Sequence, residues 1–441
     1  MARLTVLGTG YLGATHAVCM AELGHEVLGV DVDREKVASL ASGRVPFYEP
    51  GLEDLLSRHL ASGRLRFSPS YQDAAAFGDV HFVCVGTPQR ADGNAADLSY
   101  VDAAVRSLAP HLHRPALVVG KSTVPVGTAR RLARILAVEA PVGARAEVAW
   151  NPEFLREGTA VQDTLFPDRI VAGVGSRWAE DLLRAVYAPL TDRETPFLTM
   201  DFATAELVKV AANAFLATKV SYVNAMAEIC EVAGADVLEL ARALGLDQRV
   251  GPGFLSPGLG FGGGCLPKDI RAFMARAEEL GAGRSLAFLA EVDSINRRRP
   301  RRVVELALGA CGGSVAGRRV AIWGAAFKPH SDDIRGSQAL VVAEALSARG
   351  AEVTVHDPKG MDNARKQYPE LTYAQDPVQA AIGADVVLHL TEWPEFAQVD
   401  PEEIAAVATG RSVIDGRLTL DPVAWRAAGW VYTALGRAHE G

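Results

Sequence analysis

The sequence predicts an α/β protein: two doubly wound parallel-sheet domains joined by a long central helix and a helical region. Three observations carry this. Short apolar runs ending in glycine or a small polar residue alternate with amphipathic stretches over the first 200 residues, the rhythm returns after residue 301, and a helical stretch with few breakers lies between them. At 441 residues the chain exceeds what one ordinary hydrophobic core supports, so several domains are required. The expected boundaries are 1–200, 201–300 and 301–441.

Residues 3–8 (RLTVLG) read as a strand, GTGYLG as a glycine turn, the stretch to Leu23 as a helix closed by Gly24, and EVLGVD as a second strand. Gly8, Gly10 and Gly13 therefore form GxGxxG where a dinucleotide fingerprint requires it, and Asp31 closes the second strand about 20 residues on. Gly8 permits the tight turn, Gly10 lets a pyrophosphate approach the backbone at the helix start, and Gly13 lets helix pack on strand. Asp31 would hold the adenosine ribose and repel a 2'-phosphate, which favours NAD over NADP. Tyr11 and Leu12 inside the fingerprint, and Lys36 beyond Asp31, join the cofactor set. Residues 1–200 are thus expected to be an NAD-binding Rossmann-like domain.

DVHFVCVGTP (79–88), PALVVGKST (115–123) and AEVAWNPEF (146–154) read as further parallel strands. Ligands of open α/β sheets bind at such carboxyl ends, which makes Thr87, Thr123 and Glu153 candidates by position. A helix N-cap is the commoner use of a threonine there. From Asp201 to Gly234 a single helix is expected, with Lys209 and Asn213 four apart on one face. Either they form a solvated edge or a buried pair pointing at a ligand. The last third repeats the α/β plan with GxAxK (Gly324, Ala326, Lys328) in place of the fingerprint, so a second Rossmann-like domain is expected to bind something other than a second NAD. Lys328, Arg335 and Arg417 at strand ends or adjoining loops would suit phosphate groups or be plain surface cations.

Residues 261–269, FGGGCLPKD, place Cys265 after three glycines and before a proline suited to a first helical turn. The helix dipole and Lys268 would favour thiolate, and Asp269 lies four residues on, able to hold a water or accept a proton. Cys265 thus reads as a nucleophile, against the alternative of an inert thiol after a glycine turn. Cys19, Cys84, Cys230 and Cys311 read as packing residues; five scattered cysteines without paired metal spacing argue against a disulfide framework or structural zinc, and for a reducing cytoplasm. A net charge of -8 argues against nucleic acid. No stretch reaches the ~18 uninterrupted apolar residues of a membrane span. No metal is expected. An NAD site with a nucleophilic cysteine points to aldehyde oxidation through a thiohemiacetal and a thioester.

These strings, with VDVD, YEPGLEDLL, VCVGTPQ, KSTVPVGT, NPEFLREGTAVQD, ELVKVAANAFLATKVSYVNAMAEIC, DQRVGPGFLSPGLGFGGGCLPKD, FKPHSDDIRGS, TEWPEF and DGR, run nearly end to end. In them the chain resembles the UDP-glucose and GDP-mannose dehydrogenases, on the glucose branch. The resemblance implies a four-electron oxidation of a sugar C6 alcohol to a carboxylate with two NAD, UDP-glucose becoming UDP-glucuronate, with dTDP-glucose and GDP-mannose as alternative substrates. It implies that Cys265 carries the covalent adducts, Lys209 stabilises oxyanions, Asn213 anchors substrate, Asp269 and Thr123 position water, and Glu153 serves thioester hydrolysis. Glu157 would lie beside the nicotinamide half of NAD, and Thr87, Thr123, Lys268 and Arg335 complete the cofactor set. Around the nucleotide sugar it places Phe154, Leu155, Phe254, Ser256, Phe261, Gly262, Lys328 and Arg417, with residues 301–441 as the UDP-binding domain. Arg249 would reach a partner subunit's site, in a homodimer built on the central helix. Two departures stand out: Gly264 replaces a larger residue beside the nucleophile, and Phe254 and Phe261 replace tyrosines found in some members. Two other readings compete: a 3-hydroxy acid dehydrogenase, which has no use for Cys265, and a catalytically silent sensor of NAD and a nucleotide sugar.

Overall fold

The computed structural model describes residues 1–438. It comprises two compact units: Met1–Ala212 with Arg271–Gly283, and Asn213–Ile270 with the chain from Arg284 onward. Each is built on one sheet, as the alternating apolar runs predict.

In the first unit the strands are β1 (Arg3–Leu7), β2 (Glu26–Val30), β3 (Leu65–Ser68), β4 (Val80–Val83), β5 (Ala116–Gly120), β6 (Ala146–Trp150), β7 (Ile170–Val174) and β8 (Phe197–Met200). Their order is β3-β2-β1-β4-β5-β6-β7-β8, and every pairing is parallel except β6 with β7. All of β1 after Arg3 is buried, because helices cover both faces of the sheet. One apolar layer gathers Leu4 and Val6 with Ala14, Ala17 and Val18; the other gathers Leu7 and Leu28 with Val101, Val105 and Leu108. Strand order reverses between β1 and β4, so the ligand crevice of this unit opens at their carboxyl ends.

The second unit's strands are β9 (Arg319–Trp323), β10 (Glu352–His356), β11 (Thr372–Tyr373), β12 (Val386–His389), β13 (Ser412–Asp415) and β14 (Val431–Ala434). All pair in parallel, in the order β11-β10-β9-β12-β13-β14, so the fold is again Rossmann-like. Trp323 anchors its core, with ring centroids 5.8 Å from Phe396 and 5.9 Å from Trp425.

The long helix runs unbroken over Phe202–Ala233, and a second helix spans Leu266–Glu279. Within the second unit, the Phe288–Ala310 helix is tied to the long helix by Ser221 Oγ donating to the Val292 carbonyl (2.8 Å) and by Arg298 pairing with Glu228 (2.9 Å). Among the described residues no helix is long and apolar enough to cross a membrane.

Candidate functional site

Steric demands at the end of β1 explain the glycine fingerprint. Gly8 adopts φ +86°, and a Cβ there would lie 2.7 Å from Val85 Cγ1; one on Gly13 would lie 1.8 Å from the Gly8 carbonyl oxygen. Gly10 has nothing within 4 Å of where a Cβ would stand, which leaves its backbone open at the start of the Tyr11–Glu22 helix. This is the bare, donor-rich helix end that a pyrophosphate requires. Asp31 follows β2 and accepts from Thr9 N (2.7 Å), Thr9 Oγ1 (3.1 Å), Asp33 N (3.0 Å) and Lys36 Nζ (3.2 Å). Burial pushes the Asp31 carboxyl up, but the Asp33 and Thr9 amides and the Lys36 ammonium together outweigh it and hold it below the usual carboxylate range. A charged carboxylate thus stands where a ribose would be read. Asp31→Asn is expected to weaken NAD binding roughly tenfold and to narrow the preference over NADP. Titrating both dinucleotides against the variant checks this; an unchanged preference would show that another group reads the ribose.

The β4 and β5 ends are joined by Thr87, whose hydroxyl donates to the Thr123 carbonyl at 2.8 Å. Neither threonine caps a helix: the helices that follow begin at Ser99 and Thr128, with Leu98 and Gly127 at the cap positions. Glu206 caps the second of these helices instead, its buried carboxylate accepting from Gly127 N (2.7 Å) and Ala129 N (2.6 Å).

After β6 the chain enters the segment that carries Glu153, Phe154, Leu155 and Glu157. Glu153 accepts from Leu155 N (2.7 Å) and pairs with Lys209 Nζ (3.0 Å), both side chains being nearly buried. The Lys209 ammonium also lies 5.6 Å from the Phe154 ring centre. Glu49 clamps the far end of the segment, accepting from Gly158 N (2.6 Å), Ala160 N (2.7 Å) and the Tyr11 hydroxyl. Tyr11 of the fingerprint is thereby linked to the Glu153 segment. The first unit thus gathers Lys209, Glu153 and Phe154 into one contact group.

In the second unit Cys265 is exposed and stands immediately before the Leu266–Glu279 helix, its carbonyl accepting Asp269 N at 2.9 Å. A thiolate there faces the positive end of the helix. Asp269 is buried between two donors, Asn213 Nδ2 at 2.7 Å and Lys268 Nζ at 2.6 Å. The other thiols differ: Cys19, Cys84 and Cys230 are buried and Cys311 half-buried, and burial pushes Cys19 and Cys84 up to about 12. Gly264 leaves room that Arg335 fills; a Cβ at 264 would fall 2.6 Å from the guanidinium carbon. Arg335 also forms a two-pronged pair with Asp333 (2.6 and 3.0 Å).

Arg417 reaches the glycine-rich segment, its Nη1 donating to the Gly260 carbonyl (3.3 Å) and its Nε to the Leu390 carbonyl (2.7 Å). Phe261 is 7% exposed, with its peptide held by Asn296 on both sides. Gly262 is buried beside it, whereas Phe254 and Ser256 are exposed. Lys328 Nζ lies 5.5 Å from the Phe327 ring centre. Arg249 is exposed and pairs with Asp247 at 2.6 Å.

The second unit also shows why its sheet lacks a dinucleotide fingerprint. Asp357, at the place after β10 that Asp31 holds after β2, accepts from Ala325 N, Ala326 N, Lys359 N, Gly360 N and Trp393 Nε1 at 2.6–3.0 Å. Five donors occupy both oxygens. A ribose would have to displace one of them.

Sequence reasoning overlooked Glu49, Lys121, Asn151 and Glu206. Their signal was faint: a charged or amide residue inside an otherwise apolar or glycine-rich run.

Residues 2–191, 203–298 and 321–422 match in turn the NAD-binding, central and UDP-binding domains of the UDP-glucose/GDP-mannose dehydrogenase family. The chain is 41% identical over 437 residues to the UDP-glucose 6-dehydrogenase of Rhizobium meliloti, covering 99% of each. A solved UDP-glucose dehydrogenase from the hyperthermophilic archaeon Pyrobaculum islandicum is 42% identical and superposes with a TM-score of 0.92 over 99% of this chain and 98% of that one. The UDP-D-ManNAc dehydrogenase of Pyrococcus horikoshii, 28% identical, superposes at 0.86 over 99% of this chain and 100% of that one.

Proposed function

We propose, for a chain that belongs to the UDP-glucose/GDP-mannose dehydrogenase family and is an NAD-dependent oxidoreductase acting on a nucleotide sugar, that it oxidises C6 of UDP-glucose twice, to UDP-glucuronate, on Cys265. One observation carries this reading: the single exposed thiol among the described residues stands at a helix start, one turn from a buried aspartate held by Asn213 and Lys268. The glycine turn and Asp31 would hold NAD, which would supply the hydride acceptor for C6 in each of the two oxidations, the proton of the C6 hydroxyl passing to water. The Cys265 thiolate adds to the C6 aldehyde, so that the intermediate stays bound as a thiohemiacetal whose oxyanion Lys209 neutralises. Loss of the second hydride leaves a thioester. Glu153 takes a proton from the water that cleaves it, and Cys265 leaves as thiolate. Asp269 orients that water together with Thr123, and Asn213 anchors the sugar.

UDP-glucose is favoured because the curated relatives at 41% identity carry that name; Arg417 and Lys328 would supply cations for the diphosphate that all the candidate substrates share. Initial NADH formation with UDP-glucose, dTDP-glucose, GDP-mannose and UDP-N-acetylmannosamine tests the choice. Turnover of UDP-glucose at least tenfold above the others is expected; a faster rate with any other would replace it.

The long helix supports a homodimer. Phe215, Tyr222 and Ile229 recur every seven residues on it, and all three are exposed. Seven residues are two helical turns, so they form one apolar stripe, which a second copy would bury. Tyr222→Glu is expected to convert a dimer to a monomer in light scattering. An unchanged mass would place the interface elsewhere.

A further inference from the structure

The Glu153–Lys209 pair has a buried neighbour that the reaction above does not use. Lys121 directly follows β5 at the carboxyl end of the sheet and is 7% exposed. Its Nζ donates to Asn151 Oδ1 at 3.0 Å and to the Tyr187 hydroxyl at 3.4 Å. Tyr187 also donates to Asn151 Oδ1 (2.6 Å), and Asn151 Nδ2 donates to the Val171 carbonyl (2.7 Å). The ring centres of Phe82 and Tyr187 lie 5.9 and 6.0 Å from the ammonium. Lys121 forms no ion pair with a carboxylate among the described residues. Burying a charge in such a place opposes folding, and an apolar side chain of like length would suit the core better. A residue that the fold tolerates at a cost points to a use elsewhere.

Asn151 supplies that use. It opens the segment that carries Glu153, and Glu49 clamps the other end through Gly158 and Ala160. Lys121 and Tyr187 therefore fix the root of the segment, at the end of β6, to the end of β5 and to the Arg177–Thr191 helix. We propose that Lys121 is a positioning residue for the Glu153–Lys209 pair, fixing the root of its loop through Asn151 and supplying a buried positive charge behind it. The inference rests on the reaction proposed above.

The groups facing Lys121 are His16 on the first helix, Cys84 after β4, Tyr187 on the Arg177–Thr191 helix, Glu153, and Lys209 on the long helix. Burial keeps the Cys84 thiol and the Tyr187 hydroxyl protonated, and burial together with the Lys121 charge keeps His16 neutral. Glu153 and Lys209 remain as the charged neighbours. Lys121 itself is lowered to about 8, by burial first, with the Glu153 carboxylate opposing and the like charge of Lys209 adding. The Lys121 charge is fully present below its lowered value of about 8 and is lost as pH rises through it, so its support of the Glu153–Lys209 pair holds at neutral pH and fades above.

The test compares Lys121→Met and Lys121→Gln with the wild-type enzyme by pH profile, at saturating NAD. Loss of the charge should lower kcat at least tenfold at neutral pH and abolish the decline in kcat/KM for the nucleotide sugar that the wild-type enzyme shows as pH rises through about 8. KM for NAD should stay within twofold. The methionine variant should melt no lower than wild type, since Tyr187 still donates to Asn151 and a buried charge has gone. A profile that superimposes on wild type overturns the proposal, whether kcat is unchanged or falls only in step with a lower melting temperature. Should the methionine variant fail to fold, the pH profile of the glutamine variant decides by the same criterion. A wild-type chain that forms no NADH with any nucleotide sugar would instead overturn the reaction on which the inference rests.

Discussion

Cys265→Ser is expected to abolish formation of the acid while leaving NAD binding and the fold intact. The exchange removes a thiolate and almost no volume, at an exposed position. A serine hydroxyl in the same place is a far weaker nucleophile, and its ester would not share the lability of a thioester, so overall turnover should fall by about three orders of magnitude or more. Product analysis by mass spectrometry reads the outcome, with NAD titration as the control. Undiminished acid production would sink the covalent scheme.

Glu153→Gln should act later in the sequence. Glu153 is held by Leu155 N and Lys209, and the amide keeps its size but neither its charge nor its basicity. Thioester cleavage is therefore expected to slow by roughly a hundredfold to ten-thousandfold, the range that a positioned base contributes. Two NADH should appear rapidly per active site, followed by a slow steady state, and the intact protein should carry the mass of one sugar nucleotide acyl group. A variant that turns over at full speed with no adduct would remove Glu153 from hydrolysis. Loss of the carboxylate also removes a nearly buried ion pair with Lys209, so a lower melting temperature is expected alongside.

What the sequence could show, and what it could not, follows from the range of each interaction. Gly8, Gly10 and Gly13 were readable because each answers a steric demand from residues a few positions away or from the cofactor itself. β1, β2, β4, β5 and β6 were readable because burial on both faces makes them continuous apolar runs. β8 and β3 are the two edge strands, the first with two of its four residues exposed and the second carrying Arg66, and both lack that signal. The place of Cys265, before a helix start, was legible from the glycines and proline around it. Its partner arrangement was only half legible: Asp269 is one turn away, but the bond to Asn213 spans 56 residues. Glu49, Lys121 and Asn151 were missed for the same reason. Their side-chain bonds join positions 20 to 112 residues apart, and no local pattern distinguishes a buried lysine after a strand from a solvated one. The departure at Gly264 was visible as a letter. That Arg335 occupies the vacated space required coordinates.

Counting NADH per sugar with limiting UDP-glucose tests the central claim most directly. A double oxidation on one cysteine predicts two NADH and one uronic acid for each sugar consumed, with no free aldehyde trapped by a hydrazine during turnover. One NADH per sugar, with the aldehyde appearing in solution, would contradict it.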